Sequence, residues 1–216
     1  MSFQILNLES VKKASLQSEP FPYMVIDNVI KQEMLDQVVA TFPQMTKRGS
    51  FPASALPCDG AFATLLEELE RPELRKIIGE RFGMDLEDKP PMVTVRGYTN
   101  ERDGFIHTDS KSKLITFLLY LNPNWQAPGG RLRMLYNDKD LKPFAAEIPP
   151  EAGRCVIFKV TDNCWHGHEV FEGERRSLQL NYVTSSSAKE RNLKRHRFSA
   201  LLKKLFKKNE EARSTY

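Results

Sequence analysis

The chain carries only four histidines, and three of them stand in two short motifs, His107-Thr108-Asp109 and Trp165-His166-Gly167-His168. On a β-strand, residues two apart project to the same side, so His107 and Asp109 can present an imidazole and a carboxylate to one point. Alone such a pair is weak evidence, because His and Asp at these frequencies give about 0.2 such pairs by chance. The second motif supplies a further imidazole. Two histidines and one carboxylate on one face of a metal leave three adjacent positions open, which suits iron(II) holding a co-substrate and dioxygen together. Shortly after comes Gly173-Glu174-Arg175-Arg176-Ser177-Leu178-Gln179-Leu180-Asn181-Tyr182. Strand alternation puts Arg175, Ser177, Gln179 and Asn181 on one face, and Leu178, Leu180 and Tyr182 on the other. A planar guanidinium suits bidentate capture of a carboxylate. Arg176 shares parity with the leucines, so alternation favours Arg175 for that work.

These motifs need a scaffold, and the pattern along the chain describes one. Glu9 to Gln17 reads as a short helix and Tyr23 to Ile26 as a strand. Lys31 to Phe42 places Met34, Leu35, Val38, Val39 and Phe42 on one helical face, which predicts that the face is buried. Residues 43–59, with Pro43, Gly49, Pro52 and Pro57, read as loop. Helices are expected over Ala61 to Leu69 and Pro72 to Phe82, the second with proline in its first turn. After Pro90-Pro91 short β-branched and aromatic runs follow, over 92–98, 104–109, 113–121, 130–135, 153–160 and 174–184. Helices first and strands later predict an α+β, mainly β domain, an antiparallel sheet or barrel buttressed by N-terminal helices. There are no intervening helices and no glycine-rich phosphate loop, which argues against a parallel nucleotide-binding fold.

With 216 residues and 40% hydrophobic composition, the chain suits one domain. Its longest apolar stretch, Leu114 to Leu121, is interrupted by Thr116 and is too short to span a bilayer. Glu9, Lys12 and Lys13 occupy the region where an export signal would be apolar, so none is expected. Three cysteines, Cys58, Cys155 and Cys164, show no paired spacing, which suits a reducing compartment and a cytoplasmic location. The net charge of +4 is uneven: residues 185–216 carry ten Lys and Arg against three Glu, so the tail is +7 and the body −3. In that tail Phe198, Leu201, Leu202, Leu205 and Phe206 fall at helical spacing among lysines. Such a basic amphipathic helix could dock on the acidic body, lie on an anionic membrane, or contact a partner or nucleic acid. Docking within the chain is the default expectation.

Seven stretches, in order, carry a resemblance: Arg96-Gly97-Tyr98, His107-Thr108-Asp109, Tyr120-Leu121-Asn122, Gly129-Gly130-Arg131-Leu132, Arg154-Cys155-Val156-Ile157-Phe158, Trp165-His166-Gly167-His168 and Gly173 to Tyr182. Together they resemble the iron(II)/2-oxoglutarate-dependent dioxygenases, in particular the prolyl-4-hydroxylase-like branch, over roughly residues 92–184. The resemblance implies a double-stranded β-helix, a jelly roll related to the cupins. It also implies an oxygenase domain over 1–184, with a helical lead-in at 1–90 and a β-helix core at 91–184, followed by the basic tail at 185–216.

Carried over residue by residue, the resemblance makes His107, Asp109 and His166 the iron ligands. His166 lies nine residues before Arg175 and His168 only seven, and the family separation favours His166. Arg175, with Ser177 beside it, would take the distal carboxylate of 2-oxoglutarate. Tyr98 and Tyr120 resemble tyrosines that line or hydrogen-bond that co-substrate, and Leu118 and Leu132 would form its apolar wall. Arg96, Gln179 and Asn181 would face the substrate, with Arg96 equally able to brace the strand through a salt bridge. The implied reaction couples decarboxylation of 2-oxoglutarate, to succinate and carbon dioxide, with hydroxylation of a prolyl or other amino-acid-like substrate. Iron(II), dioxygen and 2-oxoglutarate are the expected cofactors, with ascorbate as a candidate reductant and a peptide or small molecule as partner. Two rivals are a non-catalytic metal-binding β-helix module and a nucleic-acid demethylase guided by the tail. The acidic body, and the lack of an aromatic-interleaved basic groove, count against the latter.

Overall fold

A computed structural model describes residues 3–45 and 47–194. Four helices lead in: α1 (Leu8–Lys13), α2 (Gln32–Ala40), α3 (Gly60–Leu69) and α4 (Pro72–Phe82), with strands β1 (Tyr23–Ile26) and β2 (Phe51–Pro52) between them. Seven strands follow: β3 (Pro91–Thr99), β4 (Lys113–Tyr120), β5 (Leu132–Leu135), β6 (Phe144–Ile148), β7 (Cys155–Lys159), β8 (His166–Gly167) and β9 (Gly173–Val183). A six-stranded antiparallel sheet has the order β1-β7-β4-β9-β3-β2, and a smaller antiparallel sheet has the order β6-β5-β8. The architecture is α+β, mainly β, as the alternation in the second half predicts.

Period-two alternation on the two central strands sorts the chemistry from the core. On β4, Ile115, Phe117 and Leu119 are fully buried in the cluster that also holds Phe62, Leu65, Leu69, Leu74 and Ile78 of α3 and α4. On β9, Leu178, Leu180 and Tyr182 join that cluster. The opposite face of the large sheet looks at the small sheet. There Tyr120, Val156 and Phe158 pack with Leu132, Met134, Ile148 and Cys164. Each fully buried Leu, Ile or Phe contributes about 1.5–3 kcal/mol, so the helix-facing layer fixes the sheet firmly enough for its other face to be polar. Proline at the first position of α4 and a left-handed Gly83 (φ 61°) at its end delimit that helix. Glu68 on α3 is buried and accepts backbone N–H bonds from Gln4, Ile5 (3.1 Å) and Leu6 (2.8 Å), tying the N-terminal segment to the helical layer.

Several expected elements differ. The first helix stops at Lys13, because Gln17 leaves the helix to exchange backbone hydrogen bonds with Tyr23 (2.9 and 3.0 Å). Residues 104–109 form no continuous strand; only His107 pairs, as an isolated bridge with His166. Within 43–59, the short β2 pairs with β3. Strand β6, Phe-Ala-Ala-Glu-Ile, lacks alternation and was not foreseen; it forms because β5 offers it a partner. Residues 186–194 are helical, and Asn192 donates to Ser112 Oγ (3.1 Å), so this beginning of the tail rests on the loop before β4. The expected amphipathic helix over Phe198 to Phe206 lies outside the described residues. Among the described residues no helix is long and apolar enough to cross a membrane.

Candidate metal and co-substrate centre

The bridge between His107 and His166, with both N–H···O distances 3.0 Å, clamps the two motifs side by side. The ring centroids lie 4.3 Å apart. Asp109 completes the group: one ligand atom from each of His107, Asp109 and His166 lies within 4.8 Å of the others. The tautomers follow from the backbone. His107 Nδ1 contacts the Phe105 carbonyl (2.8 Å) and His166 Nδ1 the Cys164 carbonyl (2.8 Å). A carbonyl only accepts, so each Nδ1 carries a proton, which leaves Nε2 as the ring nitrogen that can ligate a metal.

Burial holds the His166 pKa down at about 4, with His107 adding to the effect, so His166 is neutral at physiological pH. Burial alone would raise the Asp109 pKa. The Lys113 ammonium, at 2.6 Å from Oδ1, and hydrogen bonds from Lys113 and Thr116 outweigh it and hold the carboxyl at about 2. The donor set is therefore two imidazoles, that of His166 neutral, and one ionised carboxylate, which suits a hard or borderline divalent cation such as iron(II). Asn181 supports it from behind, its Nδ2 donating to Thr116 Oγ1 (2.8 Å).

A cavity of about 400 Å³ opens onto this group. Arg175 reaches it from β9 and is buried. Its Nε donates to the Gly130 carbonyl (2.8 Å), its Nη2 contacts Tyr120 Oη (3.3 Å), and the guanidinium stands over the Tyr120 ring. Among the described residues Arg175 enters no ion pair. Burial lowers its pKa, yet a guanidinium does not deprotonate in a protein. A buried cation held by neutral acceptors, with N–H groups to spare, is a site built for an incoming anion. The residues thus fit both an iron(II) ion and the distal carboxylate of 2-oxoglutarate.

Ser177, Leu118, Leu132 and Gln179 line the same cavity, on the face that alternation assigns them. Tyr120 is fully buried and bears on the cavity through Arg175. Arg176 points away, pairing with Glu174 and standing over the Phe42 ring. His168 lines the cavity without joining the metal-ligand group.

Two expected positions, Tyr98 and Asn181, come out differently. Tyr98 does not line the cavity and is 36% exposed. A bulge lies between Arg96, opposite Ser177, and Tyr98, opposite Glu174, so Tyr98 shares a side with Glu174 and parity fails across the break. Asn181 is fully buried behind Thr116 and does not line the cavity, so it braces a candidate ligand instead of meeting substrate. Arg96 does line the cavity, and it also makes the bracing salt bridge, to Asp103 at 2.7 Å. Sequence reasoning missed Lys113 and Thr116, the two partners of Asp109. Thr116 was legible as the polar break in the run Leu114 to Leu121, on the same strand face as Leu118 and Tyr120.

Residues 93–183 match the family model described as the 2OG-Fe(II) oxygenase superfamily. Over that segment the chain is similar to the 2OG-Fe(II) oxygenases, enzymes that use iron(II), 2-oxoglutarate and dioxygen. Its fold is similar to that of a Pseudomonas putida prolyl-4-hydroxylase, with TM-score 0.54 and 18% identity over 86% of this chain and 99% of that one. A viral collagen prolyl hydroxylase from Paramecium Bursaria Chlorella virus-1 matches with TM-score 0.49 and 14% identity, over 76% of this chain and 90% of that one. The likeness to the bacterial enzyme makes the β architecture a prolyl-4-hydroxylase-like jelly roll. No curated protein matches the sequence.

Proposed function

We propose that this enzyme hydroxylates a C–H bond of a peptidyl or other amino-acid-like substrate, with 2-oxoglutarate leaving as succinate and carbon dioxide. His107, Asp109 and His166 hold iron(II) through two Nε2 atoms and a carboxylate oxygen. Bound iron(II) supplies the oxygen activation and the oxidative decarboxylation that no side chain can perform. The chain's own residues do the rest. Lys113 and Thr116 keep the Asp109 carboxylate ionised and fixed in orientation. The carbonyls of Phe105 and Cys164 lock both imidazole tautomers. Arg175, braced by Gly130 and Tyr120, receives the distal carboxylate of 2-oxoglutarate, with Ser177 beside it and Leu118 and Leu132 excluding water from the carbon chain.

The observation that carries this reading is the buried Arg175, without an ion pair among the described residues, opening into the same cavity as a metal-ready His-Asp-His group. Purified protein with iron(II), ascorbate and 2-oxoglutarate is expected to form succinate slowly without a prime substrate. Asp109→Ala is expected to abolish that formation while circular dichroism stays unchanged. Succinate formation undiminished in Asp109→Ala would refute the assignment, and none in the wild type would favour a binding module.

A further inference from the structure

The hydroxylase reading leaves the substrate's chemistry open, and the charge of the cavity narrows it. Four fixed cations line the cavity, Arg96, Arg102, Lys113 and Arg175, against two carboxylates, Asp103 and Asp109. Among these six groups two positive charges stand in excess. Iron(II) and the 2-oxoglutarate dianion cancel, so loading the centre leaves that surplus in place. The chain outside its tail is net −3, so the surplus belongs to the cavity and not to the body as a whole. A cleft of one sign with low-dielectric walls focuses its field on the ligand that enters.

Position divides the four cations. Arg175 is buried behind the co-substrate position, and Lys113 is tied to Asp109 at 2.6 Å. Arg96 and Arg102 stand nearer solvent. The Arg96 side chain is 28% exposed and its partner Asp103 18%, while Arg102 is exposed. The turn carrying Arg102 and Asp103 is set by its own hydrogen bonds: Asn100 N–H donates to Asp103 Oδ2 (2.9 Å) and Arg102 N–H to Asn100 Oδ1 (2.8 Å). Phe105, 67% exposed, stands on the same rim. The mouth thus has two guanidinium groups for one carboxylate, and a planar fork accepts a second carboxylate without losing the first.

We propose, resting on the hydroxylase reading above, that the substrate carries a carboxylate, received at the cavity mouth by Arg96 and Arg102. The source of that group is an acidic residue of a peptide or a free carboxylate compound. A polyphosphodiester fits less well, because the surrounding body is acidic and Phe105 is the one exposed aromatic among the residues lining the cavity.

The test uses full-length protein loaded with Mn(II) and N-oxalylglycine, which fill the metal and co-substrate positions without turnover. Loading is first verified by a rise in melting temperature. Four probes are then titrated: Ac-Glu-Pro-Glu-NH2, its neutral isostere Ac-Gln-Pro-Gln-NH2, N-acetylglutamate, and a hexathymidylate. Paramagnetic broadening of probe protons, beyond a Zn(II) control, reports only binding near the metal, so capture by the basic tail does not register. The acidic peptide or N-acetylglutamate is expected to bind about fivefold or more tighter than the neutral peptide. That preference is expected to weaken with salt and to fall to about unity in Arg96→Gln and Arg102→Gln. Whichever acidic probe broadens more identifies the source of the carboxylate. Equal broadening by acidic and neutral peptides, a preference untouched in both variants, or tighter binding of the oligonucleotide would each overturn the inference while leaving the hydroxylase reading intact. Failure of Mn(II) and N-oxalylglycine to bind would overturn both.

Discussion

Replacing Arg175 by methionine removes the one buried cation that faces the co-substrate position while keeping most of its volume. A guanidinium has five N–H donors. In this fold Nε is committed to Gly130 and one Nη2 donor to Tyr120, which leaves three for a carboxylate and permits a bidentate pair. A hydrogen bond to a charged group contributes about 1.5–3 kcal/mol, so two of them lost, at the low end, cost about 3 kcal/mol. That weakens 2-oxoglutarate binding by about two orders of magnitude. The assay is thermal unfolding of the Mn(II) form with and without 2-oxoglutarate. At about 100 times the wild-type Kd the ligand stabilises the native state by about 2.7 kcal/mol. In the variant, at the same concentration, the stabilisation falls to about 0.4 kcal/mol. At roughly 2–4 °C per kcal/mol for a domain of this size, a shift of about 5–10 °C collapses to about 1 °C. A folded Arg175→Met protein that keeps the full 2-oxoglutarate shift would refute the anchoring role.

Further outcomes follow from the same geometry. His166 and His168 are both held at about 4, chiefly by burial, against an ordinary value of 6.5. Below pH 6.5 the unfolded chain takes up protons that the folded one refuses, so metal-free stability is present above that pH and is lost as pH falls toward 4. Each histidine accounts for about 2 kcal/mol by pH 5; urea midpoints at pH 7 and 5 measure it, and His168→Asn should lessen the drop. Gly104 has φ +92°, and a Cβ there would meet the His168 ring at 2.3 Å. Gly104→Ala is therefore expected to destabilise by about 1–3 kcal/mol, read from the urea midpoint, and to displace His168. Glu68→Gln is expected to cost about 2 kcal/mol, because the backbone donors of Ile5 and Leu6 lose a charged acceptor.

What the sequence revealed followed alternation, and what it hid depended on tertiary pairing. The inward pair Ser177 and Gln179 and the outward set Leu178, Leu180 and Tyr182 were legible because β9 is regular where they lie, and Arg175 lines the cavity although it sits at the register shift between Ser177 and Glu174. Tyr98 was misplaced because a bulge, invisible in local composition, breaks parity between it and Arg96. The juxtaposition of His107 and Asp109 was anticipated, though from an extended strand. The structure achieves it with one isolated bridge to His166. Strand β6 carries no pattern of its own and exists only as the partner of β5. Lys113 was hidden for a different reason, since a lysine four residues after an aspartate reads as surface charge until the sheet buries both.

The most direct measurement is a crystal structure of the Mn(II) and 2-oxoglutarate complex. The expected result has the metal bound to His107 Nε2, the Asp109 carboxylate and His166 Nε2, with the distal carboxylate of 2-oxoglutarate on Arg175. A metal held by His168 in place of His166, or a co-substrate carboxylate that avoids Arg175, would contradict the assignment of the centre.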